Sequence, residues 1–178
     1  EAYEGVHSLK QLQGQRKVDI LWVVDNSGSM SAHQTNLIKN ADLFINEFVA
    51  KGGLEWKMGV VSTDISQPPF AGFTPTSAIN YTQPDGVARF QAAIRRLGIS
   101  GDSTERMFAP IQKHLNDFPD FLRPEATLAV IFITDAFEQS RISGADMLSF
   151  IHAKKGGDRK KVIFYGALTP TDYACPPT

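Results

Sequence analysis

The chain has 178 residues, 42% of them hydrophobic and 21% charged, with a formal net charge of -1. That length suits one ordinary domain able to bury a core without disulfide or metal staples, and so even a charge balance points to neither nucleic acid nor a membrane surface as partner. No run approaches the roughly 20 apolar residues of a membrane span, and the opening EAYEGVHSLK has neither the basic start nor the apolar centre of a signal peptide.

Residues 1–16 read as an N-terminal extension. KVDILWVVD, from Lys17 to Asp25, is a continuous apolar run rich in branched and aromatic residues, the pattern of a strand buried on both faces of a parallel sheet. SAHQTNLIKNADLFINEFVAKGG places Leu37, Ile38, Ala41, Phe44, Ile45 and Phe48 at helical spacing before Gly52 and Gly53. It predicts one helix of about five turns. WKMGVVSTD (56–64) reads as a second strand and DGVARFQAAIRRLG (85–98) as a second helix, with a Pro/Gly-rich excursion between them that has room for an edge strand around 77–81.

TERMFAPIQKHLNDF reads as a third helix, with Pro110 in its first turn or at a kink. ATLAVIFITD (126–135) is the strongest strand pattern, GADMLSFIHAKKGG a further helix and KKVIFYGAL (160–168) a further strand. The alternation predicts an α/β domain, a doubly wound and mostly parallel sheet flanked by helices, with the last strand or helix missing from the sequence after 168. Residues 169–178 are a Pro-rich tail that holds the single cysteine, Cys175, either inert or paired with a thiol elsewhere. The first residue is not Met, so the chain is expected to be part of a larger one.

In such a sheet ligands bind beyond the carboxyl ends of the strands, near the point where strand order reverses. Two apolar runs end there in aspartate, WVVD at Asp25 and FITD at Asp135. Asp25, Ser27 and Ser29 follow at alternating positions and are all hard oxygen donors, a set that suits Mg²⁺, which takes an octahedral shell of oxygens and keeps some positions for water or a partner. The bland alternative is a helix N-cap by Ser29 or Ser31, and the two roles are compatible.

DNSGSM, Asp25 to Met30, resembles the Asp-x-Ser-x-Ser signature of the von Willebrand factor A fold, where it forms the metal-ion-dependent adhesion site. The resemblance covers residues 17–168 and implies a metal-dependent binding or adhesion module with five ligand positions: Asp25, Ser27, Ser29, Thr104 from GDSTE, with Ser103 as its alternative, and Asp135 from the Thr134-Asp135 pair. Glu105 is a further oxygen donor in the same loop, and Ala136 stands where the family usually has glycine. The implied ion is Mg²⁺, with Mn²⁺ or Ca²⁺ as alternatives, and the implied partner is a protein or surface ligand whose acidic group completes the shell.

The segments LAVIFITDAFEQS and GDSTERMFA further resemble bacterial envelope and surface members, which implies a cell-surface, secreted or periplasmic location. Candidate partner contacts are Phe70, Phe73, Tyr81, Glu138 and Arg141, with Phe137 beside them. Asp64, ending VVSTD, is either a further carboxylate near the site or a turn former. A metal-free scaffold is the alternative function. A Ser/His/Asp hydrolase built on Ser29 and His33 is weaker, because DNSGSM lacks the Gly-x-Ser-x-Gly nucleophile elbow, so the expectation is that the protein is not an enzyme.

Overall fold

The computed structural model describes residues 16–50, 54–65 and 78–168. The strands are β1 (Arg16–Val24), β2 (Leu54–Ser62), β3 (Ile79–Asn80), β4 (Thr127–Thr134) and β5 (Val162–Leu168). They form one sheet in the order β3-β2-β1-β4-β5, parallel except for β3, which runs antiparallel to β2. The helices are α1 (Ser31–Lys39), α2 (Ala41–Ala50), α3 (Gly86–Leu97), α4 (Phe108–Asp117) and α5 (Gly144–Lys154).

β1 lies at the centre, and every residue from Asp19 to Val24 is buried, as a strand covered on both faces requires. Successive side chains point to opposite faces of a strand. Ile20, Trp22 and Val24 therefore join Trp56, Met58, Phe90 and Ile94 in a core under α2 and α3. Leu21 and Val23 join Leu128, Val130, Ile111, Leu115 and Ile151 in a second core under α4 and α5. Trp22 anchors the first core, its ring 4.8 Å from that of Phe44 and 5.0 Å from that of Phe90. His114 is buried in the second, edge-on to Phe121 at 4.9 Å, and burial pushes its imidazole down to about 4.

The elements depart from the sequence expectation in three places. The predicted long helix is two helices, because Asn40, at φ -102° and ψ 10°, breaks the run between α1 and α2. The edge strand shrinks to two residues. Pro110 falls in the first turn of α4, where its missing N–H leaves no helical bond unmade.

From β1 the chain winds outward to β2 and β3, then crosses back to β4 and β5 on the other side of β1. The carboxyl ends of β1 and β4 thus flank the point of reversal, and they carry Asp25 and Asp135. Over β5 the described helices leave the sheet uncovered: Ile163 and Tyr165 are exposed and line an apolar cleft of about 870 Å³ that continues over Ile131 and Ile133 of β4. Among the described residues no helix is long and apolar enough to cross a membrane.

Candidate metal centre

β1 ends at Val24, but its ladder runs one residue further, since the Asp25 N–H donates to the Ile133 carbonyl at 2.9 Å. This fixes Asp25 as the first residue of the loop, fully buried, with its carboxylate turned back on that loop. Asp25 Oδ1 accepts from the Ser27 N–H at 2.8 Å, and Oδ2 accepts from the Thr134 hydroxyl at 2.7 Å. Residues 28–30 make a 3-10 turn that brings Ser27 Oγ and Ser29 Oγ to 3.0 Å at the surface. The strand end therefore gathers three oxygen-bearing side chains of one loop, plus the hydroxyl of Thr134.

Buried amides hold this loop. Gln34 Nε2 donates to the Asp25 carbonyl at 2.8 Å and to the Gly98 carbonyl at 3.0 Å, tying α1 to both β1 and the turn after α3. Asn26 Nδ2 donates to the Leu97 carbonyl at 3.3 Å, and the Gly101 N–H donates to the Asn26 carbonyl at 2.8 Å. Gly101 is in such close contact that a Cβ there would meet Asn26 Oδ1 at 2.3 Å.

The loop from 101 to 107 brings the remaining acids. The Asp102 N–H donates to Asp64 Oδ2 at 3.1 Å, so Asp64 is buried and serves to dock this loop. Thr104 is half-buried, its N–H donating to Asp102 Oδ1 at 3.2 Å, and Ser103 is exposed. The residue of this loop whose side chain meets Asp25 is Glu105, buried and accepting from the Thr63 hydroxyl at 2.6 Å. Burial pushes the Glu105 carboxyl up to about 7; the Thr63 hydroxyl pulls the other way, while the charge of Asp25, a hydrogen bond shared with it and the charge of Asp135 push further up. Asp135, half-buried at the end of β4, belongs to the same group of acids. Ala136 makes an ordinary turn, its N–H donating to Thr134 Oγ1 at 3.0 Å, so the glycine usual at that place is not needed here.

The other candidate residues scatter. Glu138 reaches back to the start of α4, accepting from the N–H groups of Met107 at 2.6 Å and Phe108 at 3.0 Å, and supplies from a distant loop the cap that helix lacks locally. Ser140 Oγ adds acceptors for Phe108 and Ala109. Arg141 is exposed and has φ +58°, alone among the described non-glycine residues in being positive. Tyr81 is not brought to the site: its N–H pairs with Trp56, six residues before the end of β2, which places it about 20 Å down the sheet by strand rise. Phe70 and Phe73 lie outside the described residues. His33 is exposed on α1, and among the described residues the partner of Ser29 Oγ is Ser27, with no bond from His33 to prepare it as a nucleophile.

Asp25, Glu105 and Asp135 have no Lys, Arg or His in a salt bridge among the described residues. Nor do three His, Cys, Asp or Glu side chains among them form a ready-made metal cage, so hydroxyls must carry a share of any coordination. An oxygen-only set of hydroxyls and acids beside a buried carboxylate fits a hard divalent cation.

By sequence, no family model and no curated protein matches this chain. By structure it is similar to proximal thread matrix protein 1 of the mussel byssus. One such structure, described as having a zinc-occupied MIDAS motif, aligns with TM-score 0.54 and 16% identity over 89% of this chain and 37% of that one. A second crystal form aligns with TM-score 0.51 and 16% identity over 88% and 36%. The likeness shows the fold: a Rossmann-like α/β sheet of the von Willebrand factor A type. This chain spans a little over a third of the length of those solved chains.

Proposed function

We propose that this domain is a metal-dependent binding module whose ion sits at the carboxyl ends of β1 and β4. The observation that supports the reading is the charge of Asp25: a fully buried carboxylate, faced by Glu105, which also feels the charge of Asp135, and bonded by the Thr134 hydroxyl and the Ser27 N–H with no cationic side chain paired to it among the described residues. Burying an unpaired carboxylate costs several kcal/mol, and a cation at this place removes the cost. Ser27, Ser29, Thr104, Asp25 and Asp135 would hold the ion, directly or through water, and Glu105 lies against Asp25.

Mg²⁺ is the preferred ion, with Mn²⁺ or Ca²⁺ as alternatives, and it supplies an electrophilic centre that keeps coordination positions free. Ser27 and Ser29 are neutral ligands at the surface, so the face remains attractive to an acidic group of a protein or surface partner. The role of this chain's residues is to orient and to shield: Gln34 and Asn26 lock the loops, and Thr134 and the Ser27 N–H aim the Asp25 carboxylate. The module works by recognition rather than catalysis, as part of a larger chain outside the cytoplasm. The matrix protein whose fold it shares, one structure of which holds zinc at its MIDAS motif, supports this reading.

Calorimetric titration with Mg²⁺, Mn²⁺ and Ca²⁺ tests it. Wild type should bind one equivalent, Ser29→Ala more weakly, and Asp25→Ala not at all; a wild type that takes up none of the three ions would defeat the proposal.

A further inference from the structure

Two apolar side chains are held out into solvent at the loops that carry the candidate ligands. Ile99, 44% exposed, follows Gly98 in the turn after α3, and its carbonyl lies 3.9 Å from where a Cβ on Gly28, between Ser27 and Ser29, would sit. Phe137, 67% exposed, comes two residues after Asp135. Isolated exposed hydrophobics are ordinary on a protein surface. These two are different in that the backbone on either side of each is tied by hydrogen bonds to neighbouring elements.

The Ile99 turn is held at Leu97 by Asn26, at Gly98 by Gln34 and at Gly101 by the Asn26 carbonyl. Gly98 takes φ +67°, a conformation glycine adopts without strain, and this sets the direction in which Ile99 leaves the turn. The Phe137 loop is held on one side by Ala136 N–H to Thr134 and on the other by the Gln139 N–H, which donates to the Glu105 carbonyl at 2.9 Å. Both side chains therefore stand on backbone held close on either side. Side chains presented on fixed backbone lose little conformational entropy when a partner covers them.

Resting on the metal-centre reading above, we infer that Ile99 and Phe137 are apolar shoulders that select the residues beside the partner's acidic group. The ligand is a peptide segment of a protein in which an Asp or Glu is flanked by large apolar residues, one lying against Ile99 on the β1 side and one against Phe137 on the β4 side. Ser27, Ser29 and Asp135 would hold the ion that the acidic group completes, and the shoulders would exclude water from around that group. A carboxylate shielded in this way interacts more strongly with a cation than one left in bulk water. The arrangement is that of an interface hot spot: charged chemistry at the centre, apolar contacts around it.

The test uses immobilised synthetic peptides in which a central Asp or Glu is flanked either by Leu, Ile and Phe or by Ser and Gly, probed with the full chain in millimolar Mg²⁺ and again with chelator. Apolar-flanked peptides should be retained over polar-flanked ones by about tenfold or more, the scale of one good interfacial side chain. Retention should vanish with chelator. Ile99→Ser and Phe137→Ser should each remove most of that preference while Mg²⁺ affinity by calorimetry stays that of wild type. Equal retention of both peptide sets, no retention of either, or a preference that survives in both variants overturns the inference while Mg²⁺ binding stands. Absence of Mg²⁺ binding by wild type overturns the metal-centre reading and this inference together.

Discussion

Asp19 and Asp25 stand six residues apart on one strand register, both fully buried, and their charges are met in opposite ways. At the lower end of the sheet Asp19 has an internal counter-ion: Arg123 Nε donates to Oδ1 at 2.8 Å and the Arg123 N–H to Oδ2 at 2.7 Å. Lys155 completes the knot by donating to the Arg123 carbonyl at 2.8 Å. At the upper end Asp25 has one hydroxyl, one N–H and another acid. The first arrangement is closed, whereas the second leaves its negative charge to be answered from outside. A buried acid with its own arginine is architecture, and the one without it is where the proposed cation would sit.

The largest effect expected from this contrast is on stability. Arg123→Met strands the Asp19 charge and should cost about 3 to 5 kcal/mol in urea unfolding. Asp25→Asn in metal-free protein should cost little or stabilise, since it removes a charge that has no internal partner. Equal losses in the two variants would erase the distinction between the two ends. Next in size is the response to metal: Mg²⁺ at about a hundred times its dissociation constant should stabilise wild type by about 2.7 kcal/mol. Thermal melts of Asp25→Asn should show none of that gain.

Smaller is the consequence of disturbing the upper loops without touching an acid. Gly101→Ala drives a methyl into the Asn26 amide and should cost about 1 to 3 kcal/mol. Part of this should return in an Asn26→Ala background, where the obstruction is gone; a full double-mutant cycle measures how much.

The last effect is that of pH. Glu105 titrates near 4.5 when unfolded and is pushed up to about 7 in the fold, so between those values the folded state binds the extra proton. Metal-free protein should lose stability as pH rises from 4.5 through 7, by linkage. Metal competes with that proton, so Mg²⁺ affinity should climb over the same window, and both slopes should flatten in Glu105→Gln.

Much of this was legible in the sequence, for physical reasons particular to each element. β1 could be read directly because a strand covered on both faces is an unbroken apolar run, and β4 carries the same run although one of its faces borders the cleft beside β5. The acids that end them mark the carboxyl edge of the sheet. The break at Asn40 was hidden, because Leu37, Ile38, Ala41, Phe44 and Ile45 keep helical phase across it and neither Gly nor Pro signals a stop. The role of Glu105 was hidden too. Ser103, Thr104 and Glu105 are equivalent donors in a string of letters, and it takes the folded loop, with Asp102 docked onto Asp64 and Glu105 bonded to Thr63, to set Glu105 beside Asp25. Glu138 looked like a surface acid because the helix end it caps is about thirty residues earlier in the chain. Tyr81 looked adjacent to the site because the pairing of Ile79 with Met58, which sets its height on the sheet, has no local signal.

The two margins of the described sheet are unequal. β3 is a two-residue antiparallel stub that offers little backbone for another strand to join. β5 runs for seven residues at the other end of the described sheet, with Ile163 and Tyr165 exposed along it. Unpaired strand edges of that length act as templates for further chains. Among the described residues the sheet thus offers seven residues of backbone at one margin and two at the other, so a further strand would find its longer seat beside β5.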